Sequence, residues 1–174
     1  MTIERRALAA EMRAKGRRLE GYAATFGTEA RILDFVETIA PGAFATSLAE
    51  RADILALVDH DAGRVLARTR SGSLRLAEDS RGLHFDLDVP ATSAGQDVLA
   101  LAERGDIGGA SFAFTVRKDG ERWNGDKREL RAVTLHEISV VQAWPAYDGT
   151  IVQARKRAVI FPRAAVARRF LETL

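Results

Sequence analysis

Residues 73–89, SLRLAEDSRGLHFDLDV, decide the fold class. Leu74 and Leu76 alternate with Ser73, Arg75 and Ala77, and Leu83, Phe85, Leu87 and Val89 alternate with His84, Asp86 and Asp88. A period of two puts one set of side chains on each face of a strand, whereas a helix would scatter them. Between the runs, 78–82 (EDSRG) supplies turn residues ending on glycine, so the stretch predicts a β-hairpin with one face in a core.

The same signals recur on both sides. Upstream, 17–26 (RRLEGYAATF) and 34–40 (DFVETIA) carry the β-branched and aromatic residues of strands. Pro41-Gly42 stops the second, and 43–51 reads as a short helix with Phe44 and Leu48 four apart. Residues 54–58 (ILALV) predict a brief buried strand. At the N-terminus Leu8, Ala10, Met12 and Ala14 alternate and turn at Lys15-Gly16, although Ile3, Ala7, Leu8, Glu11 and Met12 also fit a helical stripe; the strand is preferred. Downstream, 92–104 predicts the one convincing interior helix, with Val98, Leu99 and Ala102 as its apolar face and Gly105 as its stop. Strands are expected at 110–117, 127–134 and 135–143, the first two joined by the polar turn 119–126, and 161–174 reads as an amphipathic helix.

Seven or eight short strands with few helices and no βαβ alternation predict a mainly β fold. The expected form is a closed or nearly closed, antiparallel-rich β-barrel, since closure removes exposed edges. The expected organisation is a basic N-terminal segment (1–18) added to the barrel as a strand, a barrel domain (19–155), and a basic C-terminal helix or tail (156–174).

Composition narrows the chemistry. The chain has 174 residues and no cysteine, which excludes disulfides, thiolate metal sites and a cysteine nucleophile. Its three histidines, His60, His84 and His136, are too dispersed for a multi-histidine metal centre. No metal or organic cofactor is expected. The longest uncharged stretch, 38–49, contains Pro41 and Gly42 and is too short to span a bilayer, and 1–18 lacks the apolar run of a secretory signal. An intracellular protein without a membrane partner is therefore expected. The net charge of +2 divides into +4 over 1–18, −7 over 19–154 and +5 over 155–174. Basic ends on an acidic body fit solvated termini, or docking on an acidic partner or packaged nucleic acid; nucleic acid as a partner stays open.

Three segments set a reactive side chain at or near the end of an apolar strand. In 56–61 (ALVDHD), His60 follows a buried run between two aspartates, or simply occupies a surface turn. In 105–114 (GDIGGASFAF), Ser111 stands behind Gly108, Gly109 and Ala110, small residues that leave a substrate carbonyl unobstructed and offer backbone N–H groups to an oxyanion. The same pattern also begins many half-buried strands. In 135–147 (LHEISVVQAWPAY), alternation puts Val133, Leu135, Glu137, Ser139 and Val141 on one face and His136 on the other. A carboxylate on so apolar a row needs a partner, either a histidine or one of the arginines.

Read in order, LEGYAATFG (19–27), IAPGAF (39–44), LVDHD (57–61), VLARTRSGSLRLAEDSRGL (65–83), GDIGGASFAF and LHEISVVQAWPAYDGT (135–150) resemble the HK97-type phage prohead maturation proteases. Small departures are Ala113 and Ala67 where glycine is common, and a bulky Trp144. The resemblance implies a serine endopeptidase with a barrel similar to that of the herpesvirus assemblins. It would work inside the assembling prohead in the host cytoplasm, removing scaffold protein and trimming the major capsid protein. Carried onto this sequence, Ser111 is the nucleophile, His60 the general base and Glu137 the residue that orients it. His136 is the alternative third member, and Ser139 is next in line as nucleophile. Backbone N–H groups of Gly108, Gly109 and Ala110 are the oxyanion candidates, with an arginine acting through water as the other source. Self-cleavage and a homodimer stay open. A barrel that only binds scaffold or nucleic acid is the competing class.

Overall fold

The computed structural model describes residues 2–9 and 12–143. The expected terminal helix at 161–174 lies outside them, as does Trp144. In chain order the elements begin with β1 (Glu4–Leu8), β2 (Arg13–Lys15), β3 (Arg18–Thr25), β4 (Ala30–Ile32), β5 (Phe35–Ile39) and α1 (Ala45–Ala49). They continue with β6 (Leu55–Val58), β7 (Asp61–Arg68), β8 (Leu74–Glu78), β9 (Gly82–Asp88) and α2 (Ser93–Arg104). The last are β10 (Gly109–Val116), β11 (Glu121–Asn124), β12 (Lys127–Leu130) and β13 (Val133–Val141).

The hairpin at 73–89 forms as β8 and β9, with Leu74 opposite Leu87 and Leu76 opposite Phe85. The interior helix forms as α2. Thr92 Oγ1 accepts from the Gly95 N–H at 3.2 Å to cap its start, and Gly105 ends it at φ 77°, a left-handed conformation that glycine adopts without a Cβ clash. Among the described residues the N-terminal segment is strand, as preferred, and turns at Gly16-Arg17, one residue beyond the expected Lys15-Gly16.

The barrel does not form. The described residues make three sheets, in the orders β1-β10-β13-β6-β7, β11-β12-β5-β4 and β2-β3-β9-β8. Closure would require both β1 and β7, the edges of the five-stranded sheet, to find strand partners, in each other or in another sheet. Instead β1 hands the chain to β2 in a different sheet, and after β7 the turn at Thr69–Gly72 swings it into β8. Among the described residues thirteen strands replace the seven or eight expected, in part because the N-terminal strand divides into β1 and β2 and because β4, β7 and β11 fall in stretches too polar or too short to show a period. The polar connection 119–126 does not join neighbours either. β10 pairs with β13, whereas β12 runs parallel to β5.

One hydrophobic core nevertheless serves all three sheets. Leu19 and Ala23 of β3, Leu83, Phe85 and Leu87 of β9, Phe112 and Phe114 of β10 and Leu130 of β12 are buried together. Phe44, just before α1, meets Phe112 edge-on at 5.4 Å, and Phe112 stacks on Phe114 at 5.2 Å.

Candidate active site

His60 owes its position to a two-residue turn. Val58 of β6 pairs with Asp61 of β7, so Asp59 and His60 alone join the strands, at φ 50° and 61°. Two left-handed residues in a two-residue loop match the twist of a hairpin, but Asn-Gly is the usual occupant. Here the turn is tied to β13. Asp59 N–H donates to Val140 O (3.0 Å), Gln142 N–H to Asp59 Oδ1 (2.9 Å), and His60 N–H to Ser139 Oγ (3.1 Å).

Glu137 is placed by a β-bulge. Ala113 pairs with Glu137 but the next residue, Phe114, pairs with Leu135, which leaves His136 as the extra residue. The bulge breaks the alternation expected along β13. Val133 and Leu135 join Ile138 and Val140 on the core side, beside Phe112 and Phe114. Glu137 and Ser139 face the other way, with Ala113 and Ser111 as their cross-strand partners. Ser47 of α1 secures the irregularity, its Oγ accepting the Leu135 N–H at 2.9 Å. An apolar row with one stray carboxylate is thus two rows, and the carboxylate belongs to a polar one.

On that polar face His60 and Glu137 meet. His60 Nδ1 lies 2.5 Å from Glu137 Oε1, and Ser139 Oγ donates to Glu137 Oε2 at 2.8 Å. Both groups are largely buried, with side-chain exposures of 19% and 11%. An imidazole that donates Nδ1–H to a carboxylate keeps its Nε2 lone pair free to accept a proton. Ser111 stands opposite Ser139, one strand further from His60. It is buried, and its hydroxyl donates to the Arg6 carbonyl of β1 at 2.8 Å. His136 is separated from this group. It is exposed, and its Nε2 lies 3.1 Å from Thr115 Oγ1.

Of the oxyanion candidates, Gly108 donates its N–H to Val141 O at 3.0 Å, Gly109 pairs with Val141 of β13, and Ala110 lies between Leu8 of β1 and Val140 of β13. Glycine at 109 has a packing reason, since a Cβ there would stand 2.1 Å from Leu8 O. Sequence reasoning missed Arg5. Its Nε lies 3.9 Å from Glu137 Oε1 without a hydrogen-bond partner, and the side chain is 41% exposed. Nothing in a basic N-terminal run distinguishes Arg5 from Arg6, which the chain buries.

A small mainly β protein with serine, imidazole and carboxylate gathered on one sheet face has the makings of a hydrolase. Residues 2–160 match the family described as caudovirus prohead serine protease, so the chain belongs to that family and is a serine protease. Among solved structures it is similar to the bacteriophage T4 capsid assembly protease, with a TM-score of 0.56 and 10% identity, over 82% of this chain and 97% of that one. At that identity the likeness concerns the fold. No curated protein sequence matches the chain.

Proposed function

We propose that this chain is the endopeptidase of prohead maturation, cleaving scaffold protein and trimming the major capsid protein through Ser111, His60 and Glu137. The observation that carries the reading is the 2.5 Å contact between His60 Nδ1 and Glu137 Oε1 on the sheet face that also bears Ser111. In this mechanism the Ser111 hydroxyl first turns away from the Arg6 carbonyl toward His60 Nε2. Oγ attacks the peptide carbonyl as Nε2 takes its proton, and that proton passes to the departing amine when the C–N bond breaks. Water, activated by the same imidazole, then hydrolyses the acyl-enzyme. Glu137 stays ionised throughout and stabilises the imidazolium. With the Gly108 N–H engaged in the sheet, Arg5, whose Nε lies 3.9 Å from Glu137 Oε1, is the side-chain source of positive charge for the oxyanion in this reading. The working location is the interior of the assembling prohead; among the described residues no helix is long and apolar enough to cross a membrane.

The test is cleavage of the cognate capsid and scaffold proteins, read by product masses. Ser111→Ala abolishes cleavage with the fold intact, and Glu137→Gln lowers turnover roughly 10²- to 10⁴-fold, the size of a general-base contribution. His136→Ala stays near wild type. Loss on His136→Ala with Glu137→Gln unaffected would reassign the third member. A chain that binds capsid protein but cleaves none would be a binding module.

A further inference from the structure

Ser139 is a hydroxyl where the sheet would ordinarily carry an apolar side chain. It is 2% exposed, between Ile138 and Val140 in sequence and between Ser111 and Leu57 across the ladder. A buried hydroxyl is tolerated when its hydrogen bonds are made, and here all of them go to the catalytic pair. Its proton is given to Glu137 Oε2 at 2.8 Å, its oxygen accepts the His60 N–H at 3.1 Å, and it lies 3.3 Å from His60 Nδ1. A hydroxyl committed in this way is a poor nucleophile, because its proton already points at an anion that does not accept it during the reaction.

We propose that Ser139 is a positioning residue, locking the Glu137 carboxylate and the His60 turn to each other. The inference rests on the triad reading and deepens it. Each carboxylate oxygen then has one donor, Oε1 the imidazole and Oε2 the Ser139 hydroxyl, so the group cannot pivot. Without the hydroxyl, Oε2 is an unsatisfied buried oxygen. The carboxylate is then free to turn toward the Arg5 guanidinium, whose Nε is 3.9 Å from Oε1, and the imidazole loses its anchor. The His60 N–H loses its acceptor in the same step, inside a turn that is already strained.

The test uses a fluorophosphonate, which needs no knowledge of the cleavage site. Oγ of Ser111 displaces fluoride from phosphorus, forming an O–P bond as the P–F bond breaks and the hydroxyl proton passes to His60. The maximal labelling rate and the half-saturating concentration are measured separately. Ser139→Ala lowers the maximal rate about 10- to 100-fold, the loss typical of removing a partner that orients a histidine from behind, and leaves half-saturation unchanged. Ser139→Thr, which keeps the hydroxyl, retains the rate. In the Glu137→Gln background Ser139→Ala costs less than in the wild type, because the charge it positions is already gone and only its hold on the His60 turn is left to lose. An unchanged rate in Ser139→Ala, a Thr variant as impaired as the Ala variant, or a full additional loss in the Gln background would overturn the proposal while leaving the triad standing. A wild-type protein that is not labelled at Ser111, or is labelled at Ser139, would overturn the triad reading itself.

Discussion

Asp59 and His60 sit in the left-handed region, where an L side chain brings its Cβ against a carbonyl oxygen at a cost of about 1–2 kcal/mol per residue. Glycine would remove that cost, yet the chain keeps an imidazole at 60, the pattern expected where backbone strain serves a site. The strain separates two variants that both lack the ring. His60→Ala and His60→Gly each leave Glu137 without the imidazole, but only alanine retains the left-handed penalty. The glycine variant is therefore more stable by about 1 kcal/mol, read as a higher denaturation midpoint at equal slope. Equal midpoints would mean that the turn relaxes. At this scale much of the candidate site was legible as local pattern. A histidine closing an apolar run, a serine behind small residues and a carboxylate on an apolar row are local features, and the structure brings two of the three into contact. The Ser111 hydroxyl was not readable, because its partner, the Arg6 carbonyl, lies 105 residues away.

The elements around the site turn on one irregularity. The extra residue at His136 decides which way Glu137 faces, and no sequence pattern announces it, since strict alternation gives an equally apolar row in the wrong register. What holds the bulge is Ser47, wholly buried in α1, through its hydrogen bond to the Leu135 N–H. Ser47→Ala leaves that buried N–H unpaired and costs about 1–3 kcal/mol. Because the bulge aims Glu137, the proposed triad also requires the variant to lose activity under conditions where it is still folded. A Ser47→Ala protein as destabilised as expected but fully active would show that the bulge survives without its hydrogen bond. Hairpin β8–β9 and helix α2 were legible because their contacts are short-range. The β12–β5 pair was not, because a parallel ladder between residues 127–130 and 36–39 leaves no local signature.

Across the whole molecule, charge holds together what hydrogen-bonded closure does not. Glu37, 2% exposed in β5, accepts from Arg6 of β1 and from Arg128 of β12, and both arginines also pair with Glu4. The cluster ties an edge of the five-stranded sheet to the sheet beside it, which a reading from strand periodicity alone could only picture as a barrel seam. Glu37→Gln preserves the shape but leaves the two buried guanidinium groups sharing Glu4, with Glu121 beside Arg128, one anion fewer than before, at a cost of about 1–3 kcal/mol in the denaturation free energy; a change near zero would mean that solvent reaches the cluster.

The same ion pairs set the response to acid. Donors from Arg18 and then Arg75 hold the Asp86 carboxyl below its ordinary range. At Glu4 burial pushes the other way, but the Arg128 and Arg6 donors outweigh it and the pKa is lowered. A carboxylate whose pKa is depressed by folding contributes stability that is fully present above its unfolded value, near 4, and is lost as pH falls through the folded value. The contribution of these two carboxylates is therefore flat down to about pH 5 and declines below about 4, where protons bind the unfolded chain's carboxylates before the folded ones. Asp86→Asn dissects this. It is less stable than wild type by a constant amount from pH 5 to 8, and the difference shrinks below pH 4 as the wild-type carboxylate protonates in the unfolded chain. Denaturation midpoints measured across that range decide the matter, since a difference that persisted undiminished to pH 2 would mean that the aspartate stabilises through hydrogen-bond geometry and not through its charge.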